Sequence, residues 1–65
     1  MQIKVNGKQR EVNPCTLLAF LEQFEVNPQL VAVEYNGEII RRGSFESVSL
    51  TEGDTLEIVH MVGGG

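Results

Sequence analysis

The dipeptide Asn-Gly occurs twice, at Asn6-Gly7 and Asn36-Gly37, and each copy follows a short run in which apolar residues alternate with others. Met1, Ile3 and Val5 alternate with Gln2 and Lys4; Val31, Val33 and Tyr35 alternate with Ala32 and Glu34. Period-2 alternation marks a strand with one buried face. Asn-Gly directly after it marks a type I′ hairpin turn, because both central residues must take φ > 0. The sequence therefore predicts two hairpins, one returning over 8–12 and the other over 38–41. The segment 8–12 is mostly polar, as befits an edge strand whose charges discourage pairing with other chains.

Between the hairpins lies a different period. Leu17, Phe20, Leu21 and Phe24 stand at i, i+3, i+4 and i+7 with Leu18 on the flank, one apolar stripe to lay on a sheet. Either Asn13, with Pro14 in the first turn, or Thr16, just before the apolar run, can cap this helix; Thr16 is preferred. Asn27-Pro28 is expected to end it, since the residue before a proline is disfavoured in the α region. Residues 43–50 read as irregular, with Phe45, Val48 and Leu50 plugging one end of the core. Thr51 to Asp54 reads as a turn, and Thr55 to His60 as the final strand. Two hairpins around one amphipathic helix, plus a last strand, predict a two-layer α+β domain; another packing of the same elements is the alternative.

Sixty-five residues leave room for one small core. Nine acidic against five basic residues, a formal net charge of −4, argue against a nucleic-acid partner. The single cysteine, Cys15, has no partner for an internal disulfide, and no leader pattern or long apolar run marks export or a membrane, so the cytoplasm is the expected compartment. One histidine, His60, and one cysteine at opposite ends of the chain do not make a metal-ligand pattern. Cys15 has no base or cation near it in sequence and reads as a small apolar residue at the helix start. His60 reads as a solvated residue at a strand end. Arg41-Arg42 reads as a solvated pair, and Glu52 and Asp54 as turn residues without acid–base chemistry.

After the last strand come Met61, Val62 and then Gly63-Gly64-Gly65. Glycine has no side chain to pack and loses the most conformational freedom on ordering, so 63–65 is expected to be an exposed thread on a domain formed by 1–62. Such a thread suits an enzyme that brings a terminal carboxylate to the α-phosphate of ATP in a site excluding water, where any side chain near the end would obstruct entry. The expectation is that Gly65 is the true terminus and its carboxylate the reactive group.

The opening Met1-Gln2-Ile3-Lys4-Val5, the Asn-Gly turns, the run Glu52 to Ile58 and the final Val62-Gly63-Gly64-Gly65 together resemble the ubiquitin-like sulfur carrier proteins of thiamine biosynthesis. The resemblance spans the chain. It implies a β-grasp fold, a mixed sheet of about five strands packed on one helix. It also implies a cosubstrate protein, not an enzyme, and one without a cofactor. An E1-like adenylating enzyme would join the Gly65 carboxylate to AMP, and sulfur from a persulfide donor would displace AMP to give a thiocarboxylate. Thiazole synthase would then accept the sulfur. Members usually end in Gly-Gly, so Gly64 and Gly65 carry the role and Gly63 lengthens the thread.

The family is also recognised through an apolar patch beside the tail. If Leu56 and Ile58 face the helix, Val59 and Met61 face outward and, with Val62, form the docking surface. A molybdopterin-type sulfur carrier, a ubiquitin-like protein modifier and a plain interaction module remain as alternatives, the first disfavoured because such chains usually run longer.

Overall fold

A computed structural model describes residues 1–61 of the chain. Five strands, β1 (Gln2–Val5), β2 (Lys8–Glu11), β3 (Val31–Tyr35), β4 (Glu38–Ile40) and β5 (Thr55–His60), form one sheet in the order β2-β1-β5-β3-β4. Neighbours are antiparallel except β1 and β5, which run parallel. The sheet grips one helix, α1 (Leu17–Gln23), in the β-grasp arrangement that the resemblance implies.

Both hairpins turn where expected. Asn6 and Gly7 have φ of 49° and 83°, and Asn36 and Gly37 have 49° and 89°, the left-handed pair a type I′ turn demands. β2 is exposed along its whole length, whereas Val12, expected to close that strand, lies just beyond it and is buried. One side of the sheet and the apolar stripe of α1 make the core: Ile3, Val31, Val33 and Leu56 meet Leu17, Phe20 and Leu21. Phe45 and Leu50 are buried with them and Val48 is partly buried, as the sequence suggests, although the segment is not irregular throughout, since Arg42–Ser47 forms a 3₁₀ helix. That segment is tied to the start of α1 by Leu17 N donating to Val48 O at 2.8 Å and Leu50 N donating to Cys15 O at 3.0 Å.

Thr16 is the N-cap, its Oγ1 accepting from the Ala19 amide at 3.1 Å. The other end of the helix departs from expectation. α1 stops at Gln23, well before Asn27-Pro28, because Glu25 enters the left-handed region at φ 57°. Val26 N then donates to Leu21 O at 2.9 Å and Glu25 N to Glu22 O at 3.1 Å, the two reversed bonds of a Schellman motif. Val26 is thereby drawn back against the core. Asn27-Pro28 opens a separate 3₁₀ turn, with Asn27 Oδ1 accepting from the Gln29 amide at 2.9 Å. Early termination leaves Phe24 at the cap, 43% exposed and not seated in the stripe. Its ring packs on Phe20 with centroids 4.7 Å apart, and the Arg10 guanidinium lies 5.3 Å from its centroid.

A glutamate in the left-handed region carries a steric cost of about 1–2 kcal/mol that glycine avoids, partly offset by the greater freedom glycine has when unfolded. Glu25→Gly is therefore expected to stabilise the domain by roughly 0.5–1 kcal/mol. A higher urea midpoint at unchanged slope is the readout, and a lower midpoint would show that the Glu25 side chain makes a compensating contact.

Candidate functional site

The glycines follow β5, so the position of that strand decides how they are presented. β5 is the central strand, paired with β1 on one side and with β3 on the other from Val31↔His60 to Tyr35↔Leu56. One residue further, Met61 N donates to Leu30 O at 2.8 Å. Val62, Gly63, Gly64 and Gly65, expected to complete the docking surface and the thread, lie outside the described residues.

The turn asparagines hold β5 as well as turning the chain. Asn6 Oδ1 accepts from the Ile58 amide at 2.7 Å while its Nδ2 donates to Ile58 O at 3.1 Å, so one side chain stands in for a ladder partner beyond the end of β1. Asn36 Oδ1 accepts from the Thr55 amide at 2.8 Å, and Asn36 N donates to Thr55 O at 2.9 Å. The Asn-Gly signal gives the turns but not these clamps, whose partners lie 52 and 19 residues away. Asn6→Gly preserves the turn and deletes the clamp. It is expected to cost about 1 kcal/mol and to speed exchange of the Ile58 amide hydrogen; unchanged exchange would mean that β3 alone holds the strand.

Asp54, just before β5, is the other anchor. It is only 6% exposed, and its carboxylate accepts from Thr51 N at 2.7 Å, Tyr35 Oη at 2.9 Å, Asn36 Nδ2 at 3.1 Å and Thr51 Oγ1 at 3.2 Å. Burial pushes this carboxyl up, but the donors together outweigh it and hold the group below its ordinary value. The Tyr35 phenol is pushed up, by burial first and then by its bond to the Asp54 charge. The sequence reading of Asp54 as a turn residue is right but incomplete, because it is the buried hub of a partly buried polar network.

On the face of the sheet away from α1, Val59 is 60% exposed, and beyond the strand Met61 is 47% exposed. Register adds a residue that sequence reasoning missed. Val59 lies opposite Ala32, and Ile39, 71% exposed, lies opposite Glu34 on the same face. Ile39 and Ile40 look alike in sequence; only the pairing of β4 with β3 separates the outward one. His60 is exposed at the strand end, and Cys15 is half-buried against the core. Arg41 and Arg42 are exposed, with Arg42 Nη1 donating to Gln29 Oε1 at 3.3 Å. Among the described residues no group of three or more His, Cys, Asp and Glu is placed to hold a metal ion, and no helix is long and apolar enough to cross a membrane.

A model of the ThiS family matches residues 3–65. The chain belongs to the ThiS family. It is 35% identical over 65 residues to the sulfur carrier protein ThiS of Bacillus subtilis, covering 97% of this chain and 98% of that one. The crystal structure of the thiamine biosynthesis protein ThiS from Geobacter metallireducens superposes with a TM-score of 0.87 at 32% identity, each chain covered in full. A thiazole synthase of Paramagnetospirillum magneticum is 39% identical over 66 residues, spanning all of this chain but only 20% of that protein. This ThiS-family chain thus has the ubiquitin-like β-grasp fold of its structural relatives, and it spans only 20% of the length of the thiazole synthases it matches. The comparisons favour the thiamine branch over a molybdopterin-type carrier.

Proposed function

We propose that the chain carries sulfur on its last residue. An E1-like adenylating enzyme joins the Gly65 carboxylate to the α-phosphate of ATP, releasing pyrophosphate. A persulfide sulfur attacks the acyl carbon, AMP leaves, and cleavage of the sulfur–sulfur bond by a thiol leaves a thiocarboxylate on Gly65. Thiazole synthase accepts that sulfur. Residues 1–62 form the body that the enzymes grip, Gly63 and Gly64 thread the channel, and the cycle runs in the cytoplasm.

The observation that carries this reading is the join of a clamped central strand, β5, to a stretch of three glycines, in a member of a sulfur-carrier family. A strand held on both sides fixes the point from which a thread departs, and glycine lets backbone amides reach a narrow channel wall. The thiazole synthase relatives, in which a stretch like this chain is part of a longer protein, support thiazole synthase as a partner.

The docking surface is supplied by the exposed apolar residues Val59 and Met61, together with Val62, which follows them in sequence. A charge placed there must be buried against the partner. Val59→Asp and Met61→Asp are each expected to raise the KM of the adenylating enzyme for the carrier by roughly tenfold or more, with stability little changed. Carrier-dependent exchange of pyrophosphate into ATP measures this step. Exchange by the wild-type chain and none by a chain lacking both Gly64 and Gly65 supports the proposal; exchange by both refutes it.

A further inference from the structure

The outward face of the sheet holds an arrangement that does nothing for folding. Glu34 on β3 and Glu57 on β5 are directly opposite in the antiparallel register, and Glu34 is half-buried. Side chains so placed have Cβ atoms about 4.5–5.5 Å apart, and like charges there are destabilising. Among the described residues neither carboxylate makes an ion pair; Lys4 shares the face but lies opposite Thr55, diagonal to Glu57. The acid pair is flanked by exposed apolar side chains, Val59 beside Ala32 on one side and Ile39 across from Glu34 on the other. Apolar surface around two unneutralised carboxylates is complementary to one kind of occupant, a basic side chain set among apolar ones.

We propose that this face receives a partner segment whose arginine or lysine sits between Glu34 and Glu57 while its apolar neighbours cover Val59, Ala32 and Ile39. This rests on the carrier reading and names the chemistry by which the adenylating enzyme recognises the body of the carrier. Arginine suits the geometry best, since its planar fork meets two carboxylates at once. The repulsion between the glutamates, tolerated in the free chain, is relieved only when the cation arrives, so the pair favours the bound state over the free one.

The test separates binding from structure by the signs of two readouts. In Glu34→Gln/Glu57→Gln the thermal midpoint is expected to stay level or rise, because the repulsion is gone. The KM of the adenylating enzyme for the carrier is expected to rise about tenfold with kcat unchanged, and to lose most of its salt dependence. Glu34→Lys should weaken loading further. A lower midpoint with unchanged KM would show that the pair is structural and overturn the proposal. Self-association of the free chain, abolished by Glu34→Lys, would assign the face to a second copy and likewise overturn it. Wild-type loading with an unaffected double variant sinks this proposal alone, whereas absent wild-type loading sinks the carrier reading and this inference with it.

Discussion

Replacing Asp54 by alanine is expected to remove about 2–4 kcal/mol of stability, from a domain whose small core supplies only about 3–5 kcal/mol, so that the urea midpoint at neutral pH falls far below that of the wild type. The carboxylate accepts four hydrogen bonds in a nearly buried site. Truncation leaves the Tyr35 hydroxyl, the Asn36 amide and the Thr51 amide without their acceptor in partly buried bonds, and donors left unsatisfied there are costly. It also frees the turn that delivers the chain into β5.

The pH dependence carries a sign. Asp54 has a lower pKa folded than unfolded, so its contribution is complete above the ordinary value of a free aspartate and is lost as pH falls through the folded one. Urea midpoints of the wild type should therefore decline through the acid carboxylate range. Asp54→Asn should begin lower and decline less. Equal midpoints for wild type and Asp54→Ala at neutral pH would refute the assignment of the network as an anchor.

The second large effect is on chemistry, not on folding. Extending the chain by one residue beyond Gly65 is expected to abolish activation, because the carboxylate is displaced from the position where it meets the α-phosphate. Gly64→Val is expected to block threading by adding a branched side chain next to the reacting end. Both variants leave the core residues and the clamps on β5 untouched, so their melting curves should overlay that of the wild type. Loss of activation together with loss of folding would contradict a thread independent of the body. Retained activation of Gly64→Val would show that the channel does not require glycine.

Local chemistry was legible in the sequence wherever a residue type admits few conformations. Asn6-Gly7 and Asn36-Gly37 signal their turns because left-handed backbone is cheap for few residues, and Thr16 signals a cap because its hydroxyl reaches the third amide along. The end of α1 was misread for the same reason in reverse. Asn27-Pro28 is a strong local breaker, yet the helix ends at a glutamate forced left-handed so that Val26 can join the core, a demand of packing that no local residue announces. Long-range partnerships were not legible. Asp54 meets Tyr35 and Asn36 from 19 and 18 residues away, and Ile39 faces outward only by virtue of its register with Glu34. The parity of β5 was readable because Leu56 and Ile58 are the larger apolar pair in a strand whose end was clear. That β5 would be the central strand, held by asparagines from both hairpins, was not, since strand order is a property of the whole sheet.

Intact mass spectrometry of the chain after incubation with the adenylating enzyme, ATP and a persulfide donor tests the central claim most directly. Exchange of one oxygen for one sulfur, confined to a C-terminal fragment containing Gly65 and absent without ATP, is the expected result. A mass unchanged under conditions in which the enzyme adenylates a known carrier, or sulfur found on Cys15 instead, would contradict it.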